Sequence, residues 1–364
     1  MSNYPVPHRP PPSIDLGLPP VPEALKPPKL SPTTSPLNKP TSSIKLHSSS
    51  LQPFQVTLQT PQVFGDFSCR DGTSFLSRQQ ARRYLKKTPP RLPVDVNQGL
   101  DTYFWSEEKN ERFELLLQWI TENAEHDETL FETVDQSDFI CLRGTLVRFA
   151  EHEFQKVRRP CQIAATKVKD VIFLFEHSWY HTASQKSITY NKLKSIEAIS
   201  EYEFDGAADH VLEDEYFTIF TTDFIPDKKQ TNLQSLRVLY AAKVDLLDRE
   251  TGERCAIKTF KAKNMPMAQL QGALMAPSAV VECSIKDGFL MECNKNSMEP
   301  STRAVKQCAR WIYKVLSEIK KQMDIEPEGS LLMIERSFDD ITISKCNDHS
   351  RRFIGKSFLR RFCQ

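Results

Sequence analysis

Two residues on neighbouring predicted strands, Asp245 and Lys258, have the types and spacing for phosphate chemistry. Asp245 ends Lys243-Val244-Asp245 on one strand, and Lys258 ends Ala256-Ile257-Lys258 on the next. Side chains two residues apart in a strand point to the same face of a sheet, so the first and third residues of each of these triplets share a face. A carboxylate on that face can hold Mg²⁺ against a phosphate, while a lysine neutralises developing charge or orients the attacking water. By itself the pairing is a weak signal, because an ordinary surface ladder produces the same pattern.

The elements that carry these residues belong to a mixed pattern of helices and strands. Residues 237–247 are predicted to pair with residues 255–260 across a turn at Thr251-Gly252. Apolar residues at helical spacing predict helices over 106–124 and 301–323. Further strands are predicted over 163–168, 171–175, 279–285, 289–293, 331–336 and 341–344. Helices separated from several antiparallel hairpins predict an α+β domain with a mixed central β-sheet flanked by helices.

The composition divides the chain into a tail and one folded domain. Fifteen of the 24 prolines lie in residues 1–62, interleaved with Ser and Thr. We therefore predict a disordered tail over 1–62 and a single domain over 63–364. Residues 345–364 form a basic C-terminal tail with three phenylalanines. Both an RNA-binding tail and a helix docked by its Phe face fit this segment.

Overall charge and cysteine usage exclude several classes of protein. The chain has 48 basic and 47 acidic residues, a formal charge of +1, which excludes nucleic-acid binding by bulk charge alone. No run reaches the roughly 18 apolar residues of a membrane helix, so no membrane partner is predicted. Nine scattered cysteines without a Cys-x-x-Cys pair predict reduced thiols and no zinc site.

The order of several short motifs is more specific than any one of them. They are Phe-Ile-Cys-Leu-Arg-Gly at 139–144, Gln-Ile-Ala-Ala-Thr at 162–166, Glu-Tyr-Glu-Phe-Asp at 201–205, Lys-Val-Asp at 243–245, Ala-Ile-Lys-Thr-Phe-Lys at 256–261, Ala-Pro-Ser at 276–278 and Asp-Gly-Phe at 287–289. In this order they resemble the DXO family, RNA 5′-end decapping and exonuclease enzymes, over roughly residues 63–345. The resemblance implies a DXO-like fold with a core related to restriction nucleases.

The family's site uses an Arg for the RNA phosphate, a Phe-Glu, a Glu-x-Asp, a Glu-x-Lys and a Gln, with carboxylates that hold Mg²⁺ or Mn²⁺. By resemblance, Arg143 binds the RNA phosphate, and the catalytic residues are Asp245 and Lys258. Lys243 stands where the family has an acid, and we predict that its ammonium group pairs with an RNA phosphate in place of a metal, with Arg143 and Lys258 completing the phosphate-binding set. The implied metal ligands are Asp205 and Asp245. Three positions depart from the pattern, because Lys243, Ala256 and Pro277 replace two acids and the Gln.

These departures predict weak metal binding. Opposite unit charges about 4 Å apart attract by about 4 kcal/mol at an effective dielectric near 20, and Lys243 reverses that sign beside a cation. Ala256 removes a second ligand outright. The resemblance thus favours a divergent paralogue that binds or shields RNA 5′ ends with little or no hydrolysis. The insect germline branch called Cutoff is similar in having lost catalytic residues.

Alternatives stay open from the sequence. The second motif could supply Glu201 or Glu203 in another register, and other acids could fold back to the site. These acids are Asp209, Glu213, Asp214, Glu215, Glu250 and Glu253. The chain would then be an active Mg²⁺-dependent decapping nuclease acting on 5′-triphosphate, incomplete or NAD caps. A third hypothesis is a protein-interaction factor that uses the outer surface and the Pro-rich tail.

Partners and location follow from the resemblance alone. It implies RNA 5′ ends as the ligand. It also implies protein partners in nuclear RNA processing, transcription termination or 5′–3′ exonuclease complexes. It places the protein in the nucleus and leaves the cytoplasm open.

Overall fold

The computed structural model describes most of the chain from residue 43 onward. The described residues are 43–47, 54–70, 74–76, 81–88, 90–103, 111–154, 161–177, 183–202, 214–227, 233–259, 266–275, 278–297, 303–336, 340–348 and 351–363. No helix within these ranges has the length and apolar character needed to cross a membrane.

The described chain contains eighteen strands and seven helices. The strands are β1 (Ser43–His47), β2 (Val56–Leu58), β3 (Gln62–Arg70), β4 (Ser74–Leu76), β5 (Arg83–Leu85), β6 (Val94–Asp95), β7 (Phe139–Leu142), β8 (Cys161–Val168), β9 (Val171–Glu176), β10 (Ser200–Tyr202), β11 (Glu215–Pro226), β12 (Leu236–Val244), β13 (Leu246–Leu247), β14 (Arg254–Lys258), β15 (Ser278–Lys286), β16 (Phe289–Ser297), β17 (Leu331–Arg336) and β18 (Asp340–Cys346). The helices are α1 (Glu111–Asn123), α2 (Leu130–Thr133), α3 (Arg143–Phe154), α4 (Ala183–Ile199), α5 (Pro266–Ala273), α6 (Arg303–Ile325) and α7 (Lys356–Phe362).

The strands form two sheets. The large sheet has the order β1-β18-β17-β8-β9-β7-β12-β11-β3-β4, and β2 also pairs with β11. The small sheet has the order β10-β5-β13-β14-β15-β16-β6. The large sheet is mixed, because β7 runs parallel to both β9 and β12 while most other neighbours are antiparallel. The predicted α+β class with a mixed central sheet is confirmed.

Both faces of the large sheet are covered by core, and β12 shows how. Tyr240 and Ala242 belong to the core that includes side chains of α3, α5 and α6. Leu239 and Ala241 belong to the core that includes side chains of α1 and α7. Because side chains alternate along a strand, Lys243 continues the α1 face at the end of β12. The candidate site therefore begins at the end of β12, where the charged residue Lys243 follows the buried apolar residues.

One predicted pairing is confirmed only beside the turn. Residues 237–247 were expected to pair with 255–260, but β12 pairs with β11 and β7 in the large sheet. The pairing with β14 involves Leu246–Leu247, which form β13 of the small sheet. The apolar run looks like one strand in the sequence, yet the chain changes sheets at Asp245, whose side chain accepts a hydrogen bond from β14.

The two ends of the chain also refine the sequence picture. Strands β1 and β2 lie within residues 1–62, which the sequence assigned to the tail, and β1 pairs with β18. An edge strand is held largely by backbone hydrogen bonds, so the low apolar content of this segment did not reveal it. At the other end, α7 buries Phe358 and Phe362. Of the two alternatives for that segment, the docked helix is confirmed.

Candidate functional site

Asp245 lies between β12 and β13, where the chain passes from one sheet to the other. Its Oδ2 accepts a 2.9 Å hydrogen bond from the backbone N–H of Ile257 on β14. Lys192 of α4 lies 2.9 Å from Oδ1 and 2.8 Å from Oδ2 of the same carboxylate. Burial raises the pKa of Asp245, but Lys192 and Lys243 outweigh it, and the pKa lies below its ordinary value. Asp245 is therefore ionised and already paired with an ammonium group.

A second buried carboxylate, Glu215, lies beside Lys243. Lys243 Nζ donates to Glu215 Oε1 at 2.7 Å. The two side chains meet because β11 begins at Glu215 and runs antiparallel to the end of β12. Arg112 of α1 binds both oxygens of this carboxylate, with Nη2 at 2.6 Å from Oε1 and Nε on Oε2. Burial raises the pKa of Glu215, but Arg112 and then Lys243 lower it to about 2.

Arg143 is positioned by its place between two elements. It directly follows β7 and begins α3, so its backbone is fixed by the sheet on one side and the helix on the other. Its Nη1 is buried and has no hydrogen-bond partner in the described part of the protein. Burial lowers the pKa of Arg143, against the opposing effects of Asp245 and Tyr240. A buried guanidinium nitrogen without a partner is a site for an acceptor such as a phosphate oxygen.

Lys258 ends β14 and donates to the side-chain oxygen of Gln271 on α5. Burial, followed by repulsion from Lys192 and Arg143, lowers the pKa of Lys258 to about 7. Repulsion of this kind arises because the basic side chains lie close together. An anion placed among them would relieve it.

Two of the cavities that Lys243 lines are large. One, of about 180 Å³, is lined by Arg112, Arg143 and Lys243, by the Glu176 carboxylate, which pairs with Arg148, and by apolar side chains that include Phe113 and Phe217. The other, of about 270 Å³, is lined by Lys192, Lys243, Lys258 and neighbouring apolar side chains. Lys243 lines both, so the basic residues of the site face one region of the surface.

The structure brings most of the predicted site residues together. Arg143 lines the first cavity, Lys258 lines the second, and Lys243 lines both. The charge of Asp245 acts on both Arg143 and Lys258. Asp205 and Pro277 lie outside the described residues. Ala256 is buried at 6% exposure and offers no ligand atom.

Three residues of the site were missed or left unassigned. Glu215 was one of several acids left open, and nothing in the sequence singled it out. Lys192 and Arg112 lie on helices far from the strand motifs, and each looks like an ordinary basic residue beside an apolar stripe. Their roles depend on long-range packing, which local spacing does not report.

The donor set of the described residues does not fit Mg²⁺ or Mn²⁺. Such ions need several oxygen ligands, usually with at least one or two free carboxylates. Asp245 is paired with Lys192, and Glu215 is paired with both Arg112 and Lys243. Within the part of the chain that the structure describes, no group of three or more His, Cys, Asp or Glu side chains could hold a metal ion.

Comparison with known proteins identifies relatives of this chain. Residues 59–208 match the family described as "RAI1 like PD-(D/E)XK nuclease". The matched segment includes Arg143, whereas Asp245 and Lys258 lie beyond it. The chain is also 23% identical over 324 residues to the decapping nuclease dom-3 of Caenorhabditis elegans, covering 79% of this chain and 80% of the relative.

Solved structures share the fold. Candida albicans Rai1, in complex with pU5 and Mn²⁺, matches with a TM-score of 0.65 and 11% identity over 88% of this chain and 99% of that one. S. pombe Rai1, in complex with 3′-FADP, matches with a TM-score of 0.64 and 14% identity over 84% of this chain and 100% of that one. K. lactis Dxo1, in complex with manganese, matches with a TM-score of 0.58 and 13% identity over 85% and 99%.

Proposed function

We propose that this chain, which carries a RAI1-like PD-(D/E)XK nuclease domain, binds RNA 5′ ends through fixed basic side chains and does not hydrolyse them. The observation that carries the proposal is the 2.7 Å ion pair between Lys243 and Glu215. Together with Arg112, this ammonium group neutralises a buried carboxylate that a divalent cation would need as a ligand.

The charge balance of the site supports an anionic ligand. Five basic side chains surround the two buried carboxylates, namely Arg112, Arg143, Lys192, Lys243 and Lys258. Two of them, Arg143 and Lys258, have no carboxylate within ion-pair distance among the described residues. The terminal phosphate of an RNA brings the acceptor oxygens and the negative charge that such groups bind.

The ligands bound to related proteins support RNA as the ligand class of this site. A structure of Candida albicans Rai1 contains pU5, and S. pombe Rai1 contains the nucleotide 3′-FADP. In this chain, the cavity beside Arg143 has an apolar wall that includes the buried side chains of Phe113 and Phe217. Pairing of basic groups with phosphates is one of the means by which proteins bind single-stranded RNA, and the basic side chains of this cavity can supply it.

The second candidate function is metal-dependent decapping. The name of the dom-3 relative, a decapping nuclease, and the manganese bound to K. lactis Dxo1 favour it. For this chain it requires that carboxylates outside the described residues complete a metal site. The two candidates differ in the presence of Mg²⁺ or Mn²⁺, because only the second gives cleavage, and a chelator abolishes that cleavage.

The test measures binding and cleavage on the same samples. The substrates are RNAs with a 5′-triphosphate, an unmethylated cap, an NAD cap or a 5′-monophosphate, each with Mg²⁺, Mn²⁺ or EDTA. We expect binding that EDTA leaves unchanged and no cleavage. Cleavage that EDTA abolishes would overturn the proposal and establish the second candidate.

Variants connect the result to the site. Arg143→Ala should weaken binding about 10- to 100-fold, because a hydrogen bond to a charged group is worth about 1.5–3 kcal/mol. Arg352→Ala is the control, since this arginine is exposed on the C-terminal segment, and binding should change less than about twofold. The double variant Lys243→Glu with Ala256→Glu tests whether two acids restore cleavage. An unmodified chain that already cleaves as well as this variant would contradict the degenerate-site interpretation.

A further inference from the structure

Two cysteines face each other across the β15–β16 hairpin of the small sheet. Cys283 and Cys293 are directly opposite in the antiparallel register, and their sulfur atoms are 3.3 Å apart. All nine cysteines of the chain lie within the described residues, and none of them forms a disulfide. The pair therefore consists of two thiols in contact.

The backbone already has the geometry that a disulfide requires. Directly opposed residues of an antiparallel pair have Cα atoms about 4.5–5.5 Å apart. Disulfides span Cα separations of about 4.4–6.8 Å, with an S–S bond of about 2.05 Å. The sulfur atoms need to approach by little more than about 1 Å, which side-chain rotation can supply.

The two thiols differ in access to solvent. Cys283 is 1% exposed and packs in the core of the small sheet. Cys293 is half-buried and lies on β16, which pairs with β6 only at Phe289 and Leu290. An oxidant in solution can therefore reach Cys293 while Cys283 stays protected.

The contact also divides the chemical roles. The hydrogen bond between the sulfurs raises the pKa of the buried Cys283 and lowers the pKa of Cys293. The thiolate is the reactive form of cysteine toward oxidants. Cys293 is thus the thiol that reacts first, and Cys283 is placed to react with its product.

We propose that Cys283 and Cys293 form a reversible disulfide when the protein meets an oxidant of the peroxide class. The Cys293 sulfur attacks a peroxide oxygen, the O–O bond breaks, and Cys293 becomes a sulfenic acid as water leaves. The Cys283 sulfur then attacks the Cys293 sulfur, the S–O bond breaks, and a second water leaves as the S–S bond forms. The thiols lose two electrons and two protons, which the peroxide accepts. This inference does not depend on the proposed RNA-binding function.

The experiment treats the full chain with hydrogen peroxide, alkylates the remaining thiols and digests the protein with trypsin. Trypsin cleaves after Lys286, between the two cysteines, so their peptides separate unless a disulfide joins them. We expect a cross-linked pair of peptides in non-reduced mass spectra that disappears after treatment with dithiothreitol. Cross-linking only between different molecules, or overoxidation of Cys293 without any cross-link, would overturn the proposal.

Single substitutions separate the two roles. Cys283→Ser should leave Cys293 as a sulfenic acid that dimedone traps, whereas the unmodified chain should give the disulfide instead. Cys346→Ser is the matched control, because Cys346 is also half-buried at the end of a strand, and the cross-link should form as before. Equal dimedone labelling of Cys293 with and without Cys283 would show that the pair does not act together and would overturn the proposal.

Discussion

Replacing Glu215 by Gln removes the carboxylate that Arg112 and Lys243 share, while keeping its size. The magnitude follows from the pKa. A value of about 2 in the folded protein, against 4.5 for an ordinary glutamate, corresponds to about 3 kcal/mol of stability. The Glu215 side chain is only 6% exposed, so solvent screening reduces this little. We therefore expect Glu215→Gln to lower the free energy of unfolding at pH 7 by about 3 kcal/mol.

The pH dependence identifies the cause. Because the pKa of Glu215 is lower in the folded state, its contribution is fully present above the unfolded-state value of about 4.5. The contribution is lost as the pH falls from there toward 2. The difference between the unmodified chain and Glu215→Gln should therefore shrink to about half by pH 3.

Urea denaturation between pH 7 and pH 3 measures this difference, with tryptophan fluorescence as the signal. Glu250→Gln is the matched control, because Glu250 is 71% exposed and its ion pair is with an exposed lysine, Lys87. Its free energy of unfolding should stay within about 0.5 kcal/mol of the unmodified chain at every pH. A Glu215→Gln difference that does not change with pH would refute the electrostatic reasoning, since altered packing would then be the cause.

Three other changes test the fold and the site. Gly288→Ala should cost about 1–3 kcal/mol in urea denaturation, because φ is +80° and a Cβ would lie 1.8 Å from Nδ2 of Asn97. Arg336→Leu should cost about 1.5–3 kcal/mol by the same measurement, because it removes a buried 2.9 Å ion pair with Glu151 while Arg148 still neutralises that carboxylate. Lys258→Met should stabilise the protein by about 2–4 kcal/mol at pH 7, where burial has lowered the lysine pKa to about 7, while weakening RNA binding. Because the lowered pKa costs stability only below the unfolded-state value of 10.5, a Lys258→Met gain that does not shrink between pH 7 and pH 10 would contradict this reasoning.

The parts of the fold that the sequence predicted correctly are local. The hairpins β8–β9 and β15–β16 were predicted because apolar strands flank short turn sequences, and both pairings are confirmed. In the structure, residues of these turns, including Asp287 and Gly288, adopt positive φ. Helix α6 was predicted because its apolar residues recur at helical spacing over six turns. Motif order was equally informative, and the resemblance it indicated agrees with the matched nuclease family.

The parts that the sequence did not predict depend on contacts between distant segments. The change of sheet at Asp245 is set by a hydrogen bond from Ile257, twelve residues away. The roles of Lys192 and Arg112 require α4 and α1 to pack against the end of β12. The spacing of residues within one segment does not predict contacts with a distant segment. These ion pairs are therefore seen only in the structure.

These charge pairs bear directly on whether the site can hydrolyse a phosphate ester. A divalent ion between carboxylates does two things, because it binds the phosphate and it lowers the pKa of the water that attacks it. The ammonium groups of Lys192 and Lys243 neutralise Asp245 and Glu215 as a metal would, but they do not generate a hydroxide. A site that binds phosphate but does not lower the pKa of the attacking water should bind RNA 5′ ends at any concentration of divalent ion and leave them intact.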